Sequence, residues 1–175
     1  MGPIEALWIT VVVMFVFIGI ARGYDKELGS TIVILVALLL FSLFGDKLEE
    51  LLRSLFGRFT SSSDTVNLLT MLVFQGIFIA IVVAGYAGVT LQYPGTPPAG
   101  CSGMTLNAFF GGVNGILVAG TLWYYLDHFG YPLAFIDATQ LSAFALKVPA
   151  YLPPTWPSTV LFLWLALLII LRVRR

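Results

Sequence analysis

Histidine, cysteine and paired carboxylates, which carry most metal and acid–base chemistry, are scarce in this sequence. His128 is its one histidine and Cys101 its one cysteine among 175 residues. Metal sites and general acid–base catalysis need such groups in clusters. The sequence therefore predicts neither an enzyme nor a metal site.

His128 is the single candidate for contact with a cofactor. It follows an aromatic run at 123–125 and Asp127, so its imidazole could ligate a chlorophyll or a haem. The same position also suits a histidine in an aromatic belt at a membrane interface. No cofactor is predicted, and contact with lipid, carotenoid, chlorophyll or quinone stays open.

A compact group of charged residues occupies positions 22–27. Arg22 and Glu27 are expected to flank a tight hairpin, with Gly19 and Gly23 four residues apart on its closing turn. The alternative is that these side chains only keep charge at a membrane surface.

The elements that hold these residues are predicted to be membrane helices. No Asp, Glu, Lys or Arg occurs in the 62 residues from Thr65 to Leu126, and a charge near the bilayer centre costs at least about 2.5 kcal/mol. Hydrophobic residues make up 59% of the chain, and nine basic residues balance nine acidic ones. Membrane lipids and other membrane proteins, or further copies of the chain, are the expected partners. Nucleic acid, which needs a basic stripe, is not.

Five segments are long and apolar enough to be spans, since a helix crosses the hydrocarbon core in about 20 residues. They are Ile4 to Ala21, Leu28 to Phe44, Val66 to Val89, Asn107 to Leu126 and Ser158 to Leu171. Gly45-Asp46 should end the second helix, and the serines at 61–63 should cap the third. The predicted fold is an all-α integral membrane protein with about five transmembrane helices and no β-sheet.

Two further segments are expected to lie at the membrane surface. Residues 46–59 form an amphipathic connector that either floats at the headgroups with Glu49 and Arg53 paired, or docks a partner or shapes the membrane. Residues 127–156 form an outer apolar segment interrupted by prolines, in which 133–148 could be a second, partly re-entrant surface helix. The domain prediction is a four-span domain over 1–126, followed by this outer segment and the fifth span over 127–175.

Small residues recur every fourth position in the third and fourth spans. The rows are Gly76, Ala80, Ala84 and Gly88 in one, and Gly111, Gly115 and Ala119 in the other. Such rows let helices approach closely in lipid, so the two spans are expected to pack on each other. The alternative is that one row faces another subunit or a flat ligand.

Gln75 and Asn114 are the main polar residues deep inside these spans, and each needs a hydrogen-bond partner there. From their distances to the connecting loop they are not expected to pair with each other. Both are interpreted as structural. Counting basic residues near the spans favours an outside N-terminus and a cytoplasmic C-terminus, with Arg22 and Lys26 inside.

Two stretches resemble the colicin V production protein family over about residues 4–126. Gly19 to Leu28, which includes Arg22, Gly23, Lys26 and Glu27, is similar to the signature of its first hairpin. Phe110 to Val118 resembles its Gly-rich fourth helix, although Asn114 stands where the family usually has a basic residue. The fifth span departs from the family pattern.

The resemblance implies a non-enzymatic protein of the bacterial inner membrane that is linked to toxin export and biosynthesis and to envelope maintenance, and acts by protein–protein contact. The alternative function is a small accessory subunit of a respiratory or photosynthetic complex, in contact with pigment or quinone. A channel is a third class.

Overall fold

Every regular element is helical in the part of the chain that the computed structural model describes, which is residues 2–88, 100–133, 136 and 141–173. The elements are α1 (Pro3–Arg22), α2 (Tyr24–Phe56), α3 (Ser63–Ala87), α4 (Cys101–His128), α5 (Ala143–Lys147), the 3-10 turns Val148–Tyr151 and Pro153–Thr155, and α6 (Ser158–Val173). The four helices α1 to α4 are long and apolar enough to cross a membrane. The predicted all-α class is confirmed.

The long helices run alternately in opposite directions, which defines two ends of the bundle. At the Arg22 end, the last residue of α1 contacts Tyr86 of α3, and the first residue of α2 contacts Asn107 of α4. At the Glu49 end, Glu49 of α2 meets His128 of α4. Helix α6 ends towards the Arg22 end, because its Leu165 and Leu168 pack beside Tyr24 and Leu28.

Helix α2 is longer than predicted, and the expected stop at Gly45-Asp46 is wrong. The helix continues without a break to Phe56, so residues 46–56 of the predicted connector extend a span instead of forming a separate helix. A glycine inside a helix costs only about 1 kcal/mol. Burial of Leu52, with Leu48 and Phe56 packed against the same cluster as Met71 and Phe74 of α3, outweighs that cost.

The start of α3 follows the sequence signal. The Ser62 side chain accepts a hydrogen bond from the Thr65 amide at 3.5 Å, as expected for an N-cap. Helix α4 begins at Cys101, six residues before the predicted span, after Gly100 with a φ of 80°. Residues 101–106 of the predicted loop are therefore helical, and 89–99 lie outside the described residues.

The small residues of α4 pack on α1, and the prediction that they pack on α3 is wrong. A methyl group added to Gly111 would lie 2.9 Å from the Cα of Gly19, and one added to Gly115 would lie 2.9 Å from the Cα of Val12. Ala119 continues this row and is buried beside Trp8. Close backbone approach thus joins the first and fourth helices.

The small residues of α3 face outward. Gly76, Ala80, Ala84 and Gly88 are all exposed, and a methyl group added to Gly76 would meet nothing within 4 Å. The inner face of α3 carries Phe74, Phe78 and Val82 instead. These larger side chains fill the space beside α2 and α4, which is why the two small rows do not meet.

Helix α6 starts below the surface of the bundle. Its 16 residues rise about 24 Å, less than the roughly 30 Å of the hydrocarbon core. Pro153, in the turn before α6, packs on Gly120, eight residues before the end of α4. Of the predicted surface helix over 133–148, the stretch Ala143–Lys147 is helical, while most of 133–140 lies outside the described residues.

Side chains bond to three carbonyl groups of the 3-10 turns that precede α6. Thr155 Oγ1 lies 2.8 Å from the Leu152 carbonyl and 3.1 Å from that of Ala150, and Trp156 Nε1 donates to the Tyr151 carbonyl at 3.0 Å. Backbone groups at membrane depth must find partners inside the protein. Pro153 and Pro154 help because they have no amide hydrogen to satisfy.

The contact between α1 and α4 predicts the effect of a larger side chain there. Gly111→Leu is expected to lower the free energy of unfolding by about 3 kcal/mol, because the side chain overlaps the α1 backbone. Unfolding is followed by circular dichroism while sodium dodecyl sulfate is added to mixed micelles. Gly76→Leu, on the outward face of α3, should change it by less than about 1 kcal/mol, and equal losses would contradict the packing.

Candidate functional site

The first candidate site is built on the turn between α1 and α2. Gly23 alone separates the two helices, and its φ of 91° lies in a region that favours glycine. Its amide donates to the Gly19 carbonyl at 2.9 Å, which closes α1, and its carbonyl accepts from the Glu27 amide at 3.1 Å, which opens α2. The turn therefore brings the last residue of α1 beside the first turn of α2.

Arg22 and Glu27 flank this turn, as the sequence predicts, and they form an ion pair across it. Arg22 Nη1 lies 2.9 Å from Glu27 Oε1, and the Glu27 side chain is fully buried while that of Arg22 is 22% exposed. The guanidinium also donates to Ser30 Oγ at 3.1 Å and to the Tyr86 carbonyl at 3.0 Å. Its carbon lies 4.3 Å from the centre of the Tyr86 ring, in cation–π contact.

The second oxygen of Glu27 binds side chains from α3 and α4. Oε2 accepts from Tyr86 Oη at 2.7 Å and from Asn114 Nδ2 at 2.8 Å. Asn114 Nδ2 also lies 3.1 Å from Tyr86 Oη, and Thr31 Oγ1 lies 2.7 Å from Asn114 Oδ1. We call Arg22, Glu27, Ser30, Thr31, Tyr86 and Asn114 the Glu27 cluster.

The polar groups of the Glu27 cluster form hydrogen bonds and an ion pair with one another. Tyr86 Oη donates its hydrogen to Glu27 and accepts one from Asn114, while the guanidinium occupies the other carboxylate oxygen. A buried carboxylate is tolerated only when it is paired in this way. The arrangement therefore joins four helices through one charge, and a structural tie is the chemistry it supports best.

The remaining motif residues are not part of this cluster. Lys26 is exposed one residue before Glu27, and Gly23 contributes through the turn. Within the described residues, no group of three or more His, Cys, Asp or Glu side chains is arranged to hold a metal ion.

His128 belongs to a second group of contacts, at the Glu49 end. Its Nε2 lies 2.9 Å from Glu49 Oε2, and its ring stacks on Tyr124 at 5.7 Å between centres. Glu49 Oε1 accepts from Arg53 Nε at 2.7 Å, so the predicted pair of Glu49 and Arg53 is present. Arg53 Nη1 donates in turn to Asn67 Oδ1 at 2.7 Å.

Gln75 and Asn114 bind different partners, as expected. Gln75 Nε2 donates to the Leu122 carbonyl at 3.1 Å and links α3 to α4. Asn114 instead reaches α2 and α3 through the Glu27 cluster. The two polar residues therefore connect the bundle at different depths.

Several residues of these sites were not predicted from the sequence. Ser30 and Thr31 follow Glu27 at helical spacing, which could have indicated a polar face on α2. Tyr86 lies 59 positions from Glu27 in a charge-free run, so nothing local points to it. Ser142 donates to buried Glu5, and this contact joins segments that are 137 positions apart.

No protein-family model, curated protein or solved structure matches the chain. The resemblance to the colicin V production family therefore rests on the two quoted stretches.

The Glu27 cluster predicts a large loss of stability when its carboxylate is removed. Glu27→Ala is expected to cost at least about 3 kcal/mol, because the Arg22 charge and the Tyr86 hydroxyl lose their partner. The free energy of unfolding is measured in mixed micelles. Glu50→Ala, which removes an exposed carboxylate from the same helix, is the matched control, and an equal effect of both variants would rule out this role for Glu27.

Proposed function

We propose that the chain is a non-enzymatic protein of the bacterial inner membrane that acts by contact with other membrane proteins in toxin export or envelope maintenance. Its N-terminus is proposed to lie outside and its C-terminus in the cytoplasm. The resemblance at Gly19 to Leu28 suggests the family role. In this proposal the Glu27 cluster holds the bundle together and does not perform chemistry.

The outward row of small residues on α3 is the observation that supports this proposal most directly. Ala80 and Ala84 are exposed, and the space next to Gly76 is open. In lipid, helices associate through close backbone approach, and small side chains on one face permit it. The small residues of α4 already pack on α1 inside the bundle, whereas those of α3 are available to a helix of another chain.

The alternative is an accessory subunit of a larger respiratory or photosynthetic complex. Helix α6 favours it, because bulky side chains cover its outer surface, including Phe162, Leu163, Trp164 and Leu167. Such a face could dock on neighbouring subunits or on pigment. The two functions differ in the partner that the chain contacts.

Cross-linking from α3 tests the proposed contact. A photoreactive amino acid at Ala80 is expected to give a discrete cross-linked protein in membranes of the native host, and one at exposed Met14 of α1 is not. Mass spectrometry of the product distinguishes a second copy from a different protein. An absorption spectrum of the complex, isolated in mild detergent, reveals bound pigment and would favour the alternative.

A matched pair of substitutions sharpens this test. Gly76→Leu fills the outward row and should reduce the product from position 80 at least fivefold, whereas Ala21→Leu adds bulk to an exposed position of α1 and should not. If position 80 yields only lipid adducts, or Gly76→Leu leaves the product unchanged, the proposed contact surface is wrong.

A further inference from the structure

A polar cavity lies at the Glu49 end, between α2, α4 and the turn before α6. Its volume is about 150 Å³, and its lining includes Ser42, Asp46, Glu49, Tyr124, His128 and the ring of Phe74. A cavity of about this size accepts a molecule as large as benzene. The space therefore suits a small headgroup.

An apolar groove adjoins this cavity on the outer surface of α2 and α3. Its volume is about 250 Å³, and Leu40, Phe44, Ile77 and Ile81 are among the apolar side chains that line it. Phe41 and Gly45 line both spaces. Gly45 has no side chain to separate the cavity from the groove.

The two spaces lie at the depths of a lipid headgroup and its chain. Gly45 is 21 residues after Tyr24, the first residue of α2, which corresponds to about 32 Å along the helix. This matches the roughly 30 Å of the hydrocarbon core, so the cavity lies at the interface opposite the Arg22 end. The groove extends about 12 Å along α2 from Leu48 back to Leu40, and the part from Gly45 to Leu40 reaches about 8 Å into the core.

The charge of the cavity selects the headgroup. Asp46 and Glu49 are carboxylates, and none of the described residues that line the cavity is a lysine or arginine. Both Glu49 oxygens already have partners in Arg53 and His128, whereas Asp46 is exposed at the cavity edge. Carboxylates bind ammonium groups through charge-assisted hydrogen bonds, and the neighbouring aromatic rings also attract cations.

We infer that this cavity and groove bind a phospholipid with a primary ammonium headgroup. The ammonium group donates to Asp46 within the cavity, and the lipid crosses α2 at Gly45. One acyl chain then lies in the groove between α2 and α3. The lining of this site includes none of the four residues of the outward row on α3, although Ile77 and Ile81 lie beside that row. The lipid test below uses the purified chain, so it does not depend on the partner proposed above.

Competition between two lipids with identical acyl chains tests the inference. The full chain is purified in detergent and mixed with equal amounts of dioleoyl phosphatidylethanolamine and dioleoyl phosphatidylglycerol. Native mass spectrometry then measures the lipid that remains bound. We expect the ethanolamine lipid to be preferred roughly tenfold, in line with one hydrogen bond to a charged group.

Two variants locate the binding. Asp46→Asn keeps the side-chain shape but removes the charge and should abolish the preference, while Glu50→Gln, an exposed carboxylate outside the cavity lining, should retain it. Gly45→Leu should weaken binding of the ethanolamine lipid by blocking the boundary. The nearest atom to a methyl group added at Gly45 is 3.9 Å away, so the helix itself can accept a larger residue.

Three results would overturn the inference. They are equal retention of both lipids, an unchanged preference in Asp46→Asn, and displacement of the ethanolamine lipid by an equimolar isoprenoid quinone. The last result would identify a quinone as the occupant. Circular dichroism of each variant checks that its helical content equals that of the wild-type chain.

Discussion

The buried carboxylate of Glu27 is the constraint on which the helix arrangement depends. A buried charge needs partners on every side, since no solvent reaches it. Arg22 of α1 supplies the countercharge, and Tyr86 of α3 and Asn114 of α4 supply hydrogen bonds. These contacts tie residues of all four helices to one carboxylate, so the polar cluster helps to set the register in which the helices pack.

Apolar and small-residue packing then fix the distances between the helices. Gly19 and Gly111 let the backbones of α1 and α4 touch, while the inner aromatic residues of α3 keep it further from α4. The bundle therefore combines one close helix pair with wider gaps. One of these gaps, at the Glu49 end, is the cavity near Asp46.

The parts of this fold that the sequence predicted are those that depend on local chemistry. Hydrocarbon solvation determines the long charge-free run, the Ser62 cap determines the start of α3, and the single glycine at position 23 lets Arg22 reach Glu27. The end of α2 was missed because burial of Leu52 outweighs the glycine at position 45. The partner of the α4 row was missed because it depends on side-chain volume in a different helix.

The candidate site divides in the same way. Arg22 and Glu27 are close in sequence, so their position on either side of one turn could be predicted, whereas the contact of Tyr86 with Glu27 depends on how the whole chain folds. Asn114 could be recognised as polar and buried, but not as a donor to Glu27. Long-range hydrogen bonds carry little local signal, and membrane sequences offer few charged residues by which to trace them.

The unbroken length of α2 has a mechanical consequence. Its 33 residues contain no proline, and Glu27 and Glu49 anchor it to α4 near opposite ends. These two residues are 22 positions apart, or about 33 Å along the axis. An unbroken α-helix is stiff, so a tilt imposed on one end of α2 also moves its other end, at the opposite face of the membrane.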